Sequence, residues 1–327
     1  MPAHHASPTS PRAALEQPLR GVYSDIAELT GARHAASAWL LQQRQRARSE
    51  MSGGLRSTLR GRGLEFEEVR AYQAGDDVRN IDWRVTARSG RAFTKLFREE
   101  REKPVLLAVD QRQPMFFGSS HCFKSKLAAQ LGALLAWCAL EQGDRVGGLV
   151  FGNDTRSEIR PRRARKTALQ WLHTLHDYNT RLRRDTRLAA AGQSLQNALS
   201  ELRRVARPGS AIYLISDFRG IEERPQIREH LHALARHCEV SALFIYDPLE
   251  SELPAPALYT VSDGEQRRLL DSGDKALRKR HHHAFDAHRD ALRQLFGARG
   301  IPLIELSTGA APLPCLAAQR ALLRSPR

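Results

Sequence analysis

The chain has 327 residues, enough for one large domain or two modest ones, and 41% of them are hydrophobic, as in ordinary globular proteins. Its formal net charge of +15 is compatible with a nucleic-acid, anionic-membrane or acidic protein partner. Arginine is spread along the whole chain, however, and only 6% of the residues are aromatic, which favours a general arginine bias over nucleic-acid binding.

No apolar run approaches the ~20 residues that a membrane span needs, and the first 20 residues contain no stretch apolar enough for a signal peptide. The sequence therefore predicts a cytoplasmic protein without a transmembrane segment. Residues 1–20 are rich in Pro, Ala and Ser, which predicts a disordered tail. The four cysteines form no Cys-x-x-Cys pair, so neither a zinc site nor a redox motif is expected.

Residues 21–103 are predicted to form an N-terminal arm. Within it, residues 23–51 have apolar side chains at helical spacing, and residues 52–66 form a loop rich in glycine and arginine. Residues 91–101 alternate in the manner of an extended strand. The arm is therefore expected to consist of a helix and a strand joined by a long irregular segment.

Residues 104–327 contain short, almost continuous apolar runs separated by helical patterns. The runs suit strands that are buried on both faces, and their sequences are VLLAVD, VGGLVF, AIYLISD, SALFIYD and IPLIEL. This alternation of strand and helix predicts an α/β domain with a doubly wound, mostly parallel sheet. Residues 258–272, around Asp263 and Gly264, interrupt the pattern and are expected to form a small β-hairpin insertion.

Three of the predicted strands end in aspartate, at Asp110, Asp217 and Asp247. In open α/β sheets, function gathers at the carboxyl ends of the strands. Asp110 and Asp217 are therefore expected to share one crevice if their strands are neighbours. Two carboxylates in a crevice need a metal, an arginine or a proton between them.

The histidine-rich positions give little indication of a metal-binding site. The run at 281–283 belongs to a predicted amphipathic helix, which suggests partly buried or surface roles. His173, His176 and Asp177 lie one helical turn apart but lack a third ligand segment. Phosphate-loop, His-Glu-x-x-His and Gly-x-Ser-x-Gly motifs are also missing from the sequence, so no familiar catalytic centre is indicated.

Residues 72–110, YQAGDDVRNIDWRVTARSGRAFTKLFREEREKPVLLAVD, resemble the signature of the bacterial domain of unknown function 58 family. The segment FIYDPLESELP and the hairpin predicted after it are also similar to this family, and the resemblance covers most of residues 60–324. The positions that carry the signature are Tyr72, Gly75, Asp76, Asp77, Arg79, Ile81, Asp82, Trp83, Arg88, Lys95 and Glu99. The family is similar to von Willebrand factor A domains, and the resemblance therefore implies an α/β fold of that type.

Such A domains usually bind a divalent cation through an Asp-x-Ser-x-Ser motif, a loop threonine and a later aspartate. Here Arg112 and Pro114 replace the two serines. Gln193 falls where the threonine is expected, and only Asp110 and Asp217 remain. Hard cations need several oxygen ligands and are repelled by a guanidinium, so the resemblance implies a degenerate site without metal or other cofactor. The two aspartates are expected to accept hydrogen bonds from Arg112 instead.

The dense run of opposite charges in residues 70–88 admits three interpretations. Asp76, Asp77 or Asp82 could act as acid or base in an enzyme, but the sequence supplies no nucleophile or oxyanion donor for them. They could instead cap turns and pair with arginines, bracing the arm on the α/β domain with Trp83 as an interdomain anchor. Arginine–carboxylate pairs also form docking surfaces, and the brace and the docking surface both remain open.

The expected function is that of a non-catalytic protein-interaction module rather than an enzyme. The family resemblance implies a MoxR-type AAA+ ATPase as partner, with the protein acting as an adaptor or co-chaperone in maturing or assembling a client complex. The alternative is a basic-surface binder of nucleic acid or of an anionic membrane, and a hydrolytic enzyme comes third. The sequence indicates no specific nucleic-acid partner.

Overall fold

The computed structural model describes residues 15–51, 65–73, 78, 81–98, 102–183, 191–221, 224–262 and 267–319. The chain divides into two compact units, the first with residues 1–42 and 103–327 and the second with residues 43–102. The described helices are α1 Ile26–Met51, α2 Trp83–Ser89, α3 Lys124–Glu141, α4 Arg165–Arg181, α5 Ala191–Val205, α6 Pro225–Ala235, α7 Pro248–Ser251, α8 Lys275–Gly297 and α9 Pro312–Ala318. The described strands are β1 Glu65–Ala71, β2 Phe93–Arg98, β3 Pro104–Asp110, β4 Arg145–Phe151, β5 Arg156–Arg162, β6 Ala211–Ser216, β7 Glu239–Tyr246, β8 Leu258–Ser262, β9 Arg267–Asp271 and β10 Leu303–Ser307. None of the described helices is both long and apolar enough to cross a lipid bilayer.

The first unit is built on a six-stranded sheet with the order β10-β7-β6-β3-β4-β5. Neighbouring strands are parallel except for β4 and β5, which run antiparallel at one side of the sheet. If the six strands of this sheet are renumbered 1 to 6 in chain order, their order across the sheet, read from β5 to β10, is 3-2-1-4-5-6. This is the strand order of doubly wound α/β folds. The predicted fold class, α/β with a doubly wound and mostly parallel sheet, is therefore confirmed.

Alternating side chains of the central strands enter two separate cores. On β3, Val105, Leu107 and Val109 face a core shared with α1, α3 and α4, whereas Leu106 and Ala108 face a core shared with α5, α6 and α8. Because both faces of the sheet are covered, its strands are apolar without interruption, as the sequence predicted. The sequence did not predict strand β5. Only one of its seven residues is buried, so it has no continuous apolar run.

Helix α3 is buried almost all round. Sixteen of its eighteen residues are buried, since its side chains share one core with the sheet, α1 and α4. Gly132 allows this close packing: a Cβ atom there would lie 2.8 Å from the ring of Trp171 and 3.0 Å from Val109. The indole nitrogen of Trp137 donates to the carbonyl of Leu29 in α1 over 3.0 Å.

Residues 15–42 pack on the first unit rather than forming part of a separate arm. Leu15 is only 1% exposed, Leu19 is buried, and Leu29 in α1 is fully buried. The amide of Ser24 donates to Asn179 Oδ1 over 2.7 Å. The structure therefore corrects the predicted boundaries of a tail over 1–20 and an arm over 21–103, because these apolar side chains find a core. Residues 1–14 lie outside the described part of the chain.

The second unit contains a two-stranded antiparallel sheet. β1 pairs with β2 from Glu65 opposite Arg98 to Ala71 opposite Phe93. The amide of Asp82 donates to the carbonyl of Phe93 over 2.8 Å, which ties the start of α2 to β2. β2 lies within the strand predicted over 91–101. Most of the loop predicted over 52–66 falls outside the described residues, and its last two positions begin β1.

The insertion expected over residues 258–272 is a β-hairpin. β8 and β9 pair in antiparallel register, from Leu258 opposite Asp271 to Ser262 opposite Arg267. Its base is held to α8, since the guanidinium of Arg278 donates to the carbonyl oxygens of residues 253, 254 and 272. The hairpin is thus a small two-stranded sheet that is separate from the six-stranded sheet.

Candidate functional site

The site lies at the point where the strand order of the sheet reverses. β3 and β6 are the neighbouring first and fourth strands of the sheet, and Val109 pairs with Ile215 at their carboxyl ends. β3 ends at Asp110, and Asp217 follows β6 directly. The two aspartates are 0% and 2% exposed. The expected crevice with two carboxylates is therefore present at the switch point, where doubly wound folds bind their ligands.

Arg112 lies between the two aspartates. Its Nε is 2.9 Å from Asp110 Oδ1 and its Nη2 is 2.6 Å from Asp110 Oδ2, which makes a bidentate pair. The same Nη2 lies 3.5 Å from Asp217 Oδ1, and Nη1 donates to the carbonyl of Arg219 over 3.1 Å. The side chain of Arg112 is fully buried. The guanidinium thus occupies the two oxygens of Asp110 that a metal ion would need as ligands.

Lys124 is a second buried cation in the crevice, and the sequence did not indicate it. Its Nζ lies 2.9 Å from Asp217 Oδ2 and 2.8 Å from Glu250 Oε1, and its side chain is fully buried. Arg219 reaches the same Glu250 oxygen over 2.7 Å from a half-exposed position. Three acids and three bases therefore form one neutral group. We call it the switch-point cluster, and its members are Asp110, Arg112, Lys124, Asp217, Arg219 and Glu250.

The first turn of α3 contains a signal that could have revealed Lys124. Two lysines, Lys124 and Lys126, stand there without an acidic residue in that turn. Cations at a helix N-terminus oppose the helix dipole, so they require carboxylates from elsewhere in the fold. Lys126 finds Glu28 of α1 at 2.8 Å, just as Lys124 finds the cluster.

Burial and charge act in opposite directions within the cluster. Burial by itself would lower the pKa of Arg112, but the charge and hydrogen bonds of Asp110 and the charge of Asp217 raise it above its ordinary value. Burial would raise the pKa of Asp217, yet the charges of Lys124 and Arg112, a hydrogen bond from Lys124 and the amide of Arg219 hold it well below its usual range. Both groups therefore stay ionised at neutral pH.

The backbone beside the cluster adopts an uncommon conformation. Phe218 has φ of +54° and is buried, and its amide donates to Ser216 Oγ over 2.8 Å. The same hydroxyl donates to Asp110 Oδ2 over 2.5 Å. His288 of α8 lies 3.0 Å from the carbonyl oxygen of Asp217. A left-handed conformation at a bulky residue costs free energy, and these bonds hold it in place where it aims Asp217 at the two cations.

Asp247 supports the cluster without joining its ion pairs. It is fully buried at the end of β7 and accepts from the amides of Leu249 and Ser119, over 3.0 Å in each case, and from Thr308 Oγ1 over 2.5 Å. Glu250 Oε2 in turn accepts from the amide of Asp247 over 2.9 Å, which completes a capping box on α7. This cap fixes the position from which Glu250 reaches Lys124.

The remaining positions of the expected degenerate metal site lie apart from the cluster. Pro114 belongs to a short turn of 3-10 helix, Gln113–Met115. Gln193 donates to Asn197 Oδ1 over 3.0 Å and lines a pocket of about 220 Å³ between α5 and the turn that joins β4 to β5. In the part of the chain that the structure describes, no three His, Cys, Asp or Glu side chains are grouped so as to hold a metal ion.

The histidines singled out in the sequence contact backbone carbonyl groups. His281 Nε2 lies 2.8 Å from the carbonyl oxygen of Leu249, and His176 Nδ1 lies 2.8 Å from that of Ser24. His173 bonds to the carbonyl one turn earlier in its own helix. His281 and His176 therefore tie their helices to neighbouring segments.

The family signature lies in the second unit and is described in part. Its positions 75, 76, 77, 79 and 99 lie outside the described residues. The amide of Tyr72 donates to the carbonyl of Ala92 over 2.8 Å, and Ile81 forms an isolated bridge with Thr94. Lys95 stands in β2 opposite Val69.

Asp82 is the N-cap of α2. Its side chain accepts from the amides of Arg84 and Val85 over 3.0 and 3.2 Å. Trp83, the first residue of this helix, is 69% exposed, and Arg88 is exposed in its last turn. None of the residues of this seven-residue helix is buried, and the role of Trp83 as an interdomain anchor stays a prediction.

Comparison with known proteins identifies relatives of this chain. It is 32% identical over 254 residues to uncharacterized proteins of Mycobacterium bovis and Mycobacterium tuberculosis, which spans 76% of this chain and 76% of each relative. Among solved structures, BatB from Bacteroides thetaiotaomicron has a TM-score of 0.37 and 15% identity, covering 68% of this chain and 95% of that one. An aerotolerance-related membrane protein from Bacteroides fragilis also has a TM-score of 0.37 and 15% identity, covering 67% and 96%.

Residues 68–291 match the family described as Protein of unknown function DUF58. This range includes every position of the family signature, strands β2 to β9 and all six residues of the switch-point cluster. Because the match covers more than half of the chain, the protein belongs to the DUF58 family.

Proposed function

We propose that this protein is a non-catalytic protein-interaction module that works as an adaptor or co-chaperone with a MoxR-type AAA+ ATPase. The observation that carries the proposal is the guanidinium of Arg112, which is fully buried on Asp110 at the switch point. Asp217 and Glu250 are likewise engaged by Lys124. A crevice whose carboxylates are all neutralised by cations of the same chain suits a brace, and binding then falls to the outer surfaces of the domain.

We also infer that the sheet is of the von Willebrand factor A type. The strand order and the antiparallel strand β5 at one side support this inference. So does the position of Asp110 at the end of the first strand of the sheet, where the metal-binding motif of A domains begins. Arg112 would take the place of the metal, and any docking at this edge would then be independent of divalent cations.

The choice of partner rests on the family resemblance carried by residues 72–110. The same resemblance is the basis for proposing that the pair matures or assembles a client complex. The rival function is a basic-surface binder of nucleic acid or anionic membrane, which the formal charge of +15 favours. The two functions differ in what the protein captures.

Affinity capture from a native lysate of the source organism separates these functions. The tagged protein is used with and without nuclease treatment, and a tag-only bait is the control. We expect a MoxR-type ATPase to be enriched in both samples. Loss of that protein after nuclease treatment, or no enrichment over the tag alone, would contradict the adaptor proposal. Capture should persist in a chelating buffer, because the cluster needs no metal.

A further inference from the structure

One side of the sheet carries a concentrated positive charge. Six of the eleven residues in 156–166 are arginine or lysine and one is acidic, a formal +5 of the chain's +15. The segment comprises β5, which ends the strand order, and the turn into α4. We call it the basic edge, and its cations, all exposed, are Arg156, Arg160, Arg162, Arg163, Arg165 and Lys166.

Most of these cations are not used by the fold. Within the described part of the chain, Arg160, Arg162, Arg165 and Lys166 have no ion-pair partner. The cations of the switch-point cluster, in contrast, are each held by carboxylates. Like charges placed side by side repel one another, so a row of unpaired cations costs stability and is available to a partner.

A partner would have to dock on the side chains of the basic edge rather than extend the sheet. Pro161 in β5 has no amide hydrogen, and the register of β4 and β5 shifts between Val146 and Gly148. Proline and bulges are features that prevent an edge strand from pairing with another chain. The arginine side chains are then the groups that a partner contacts.

The chemistry of the basic edge fits carboxylates. Five of its six cations are arginines, whose planar fork binds a carboxylate with two parallel hydrogen bonds. Residues 156–166 include no aromatic side chain on which a base could stack.

We propose that the basic edge docks an acidic segment of a protein partner, whose carboxylates bind Arg160, Arg162, Arg165 and Lys166. This proposal rests on the proposed function as an interaction module and names the chemistry of its partner. Attraction between such surfaces speeds association and weakens as salt screens the charges.

The test compares two charge reversals that change the net charge equally. Arg160→Glu/Arg162→Glu alters the basic edge but leaves β5 charged, so its protection against strand pairing is kept. Lys279→Glu/Arg280→Glu alters two exposed cations of α8 and is the matched control. If the first variant fails to fold, Arg165→Glu/Lys166→Glu replaces it, since acids are favourable at the start of α4.

The probe is a fluorescein-labelled twelve-residue peptide of alternating Glu and Ser, followed by fluorescence anisotropy at low and physiological salt. We expect the basic-edge variant to lose at least ~10-fold in affinity and the α8 variant to lose less than ~3-fold. Equal losses, or no binding of the peptide to the wild type, would overturn the proposal. Tighter binding of a labelled DNA duplex at the same salt, lost in the same variant, would assign the edge to nucleic acid and overturn it too.

Capture of the ATPase by the same variant separates this proposal from the proposed function. Loss of capture by Arg160→Glu/Arg162→Glu, but not by the α8 control, supports docking at the basic edge. Capture that survives the reversal leaves the adaptor function standing and overturns the basic edge as its docking surface.

Discussion

The ammonium group of Lys124 lies 2.9 Å from the carboxylate of Asp217, although 93 residues separate the two along the chain. Lys124 begins α3, where a cation opposes the helix dipole. Its position is favourable only because Asp217 and Glu250 surround it. This contact therefore couples the start of α3 to the loop after β6 and to α7.

Removing Arg112 should destabilise the protein strongly. Arg112→Met leaves Asp110 buried without its guanidinium, and breaking a buried pair costs about 3–5 kcal/mol. Adding Asp110→Asn should recover part of this loss, since the unpaired charge is then absent. Urea unfolding measures both variants, and Arg160→Met, an exposed cation, is the control with little expected change. A double variant no more stable than Arg112→Met would contradict the charge pairing.

Lys124 should be nearly as important as Arg112. Lys124→Met keeps the length of the side chain but leaves Asp217 and Glu250 short of one cation, with an expected loss of about 3–5 kcal/mol. Lys166→Met serves as the control, because Lys166 also lies in the first turn of a helix, α4, but is exposed. Equal unfolding midpoints for the two variants would show that the buried contacts contribute nothing to stability.

Because of the switch-point cluster, the free energy of unfolding should depend on pH in the acid range. The pKa of Asp217 is lower in the folded protein than the unfolded value of about 3.9. Its contribution is therefore complete above that value and is lost as the pH falls toward the folded pKa. The free energy of unfolding, measured in urea between about pH 5 and pH 2, should fall steeply for the wild type and less steeply for Asp217→Asn. Parallel curves would refute this assignment, and Asp290→Asn, at an exposed position, should behave as the wild type.

Divalent cations should not bind tightly at the switch point. Arg112 occupies both oxygens of Asp110, and hard cations need several free oxygen ligands. Calorimetry with Mg²⁺ or Mn²⁺ should therefore show no heat of binding at micromolar concentrations. A micromolar site that disappears in Asp110→Ala would show that a metal can displace the guanidinium.

The described part of the family signature allows stability and docking to be separated. Asp82→Ala removes the cap of α2 and should cost about 0.5–2 kcal/mol. Trp83→Ala should leave the unfolding midpoint unchanged because its side chain is 69% exposed. If Trp83→Ala nevertheless abolishes capture of the ATPase, the motif is a docking surface. A clear fall in the midpoint of Trp83→Ala would support the bracing role instead.

The sequence predicted the strands of the main sheet because a strand covered on both faces must be apolar throughout. It also predicted the meeting of Arg112 with Asp110, since β3 ends at Asp110 and only Gln111 stands between the two residues in the chain. Strand β5 was missed for the opposite reason. A strand at the side of a sheet has one neighbour and can be polar, so it has no apolar run.

Sequence periodicity by itself predicted a helix over residues 23–51, of which Ile26–Met51 form α1, and predicted that two aspartates end buried strands. Only the tertiary structure decided which surfaces meet. An apolar stripe specifies that a face is buried but not against what, so the packing of α1 on α3 could not be derived. In the same way, Lys124 and Glu250 look like ordinary charged residues until packing brings them to Asp217. Buried ion pairs depend on distances in space, and those distances are set by the whole fold rather than by local sequence.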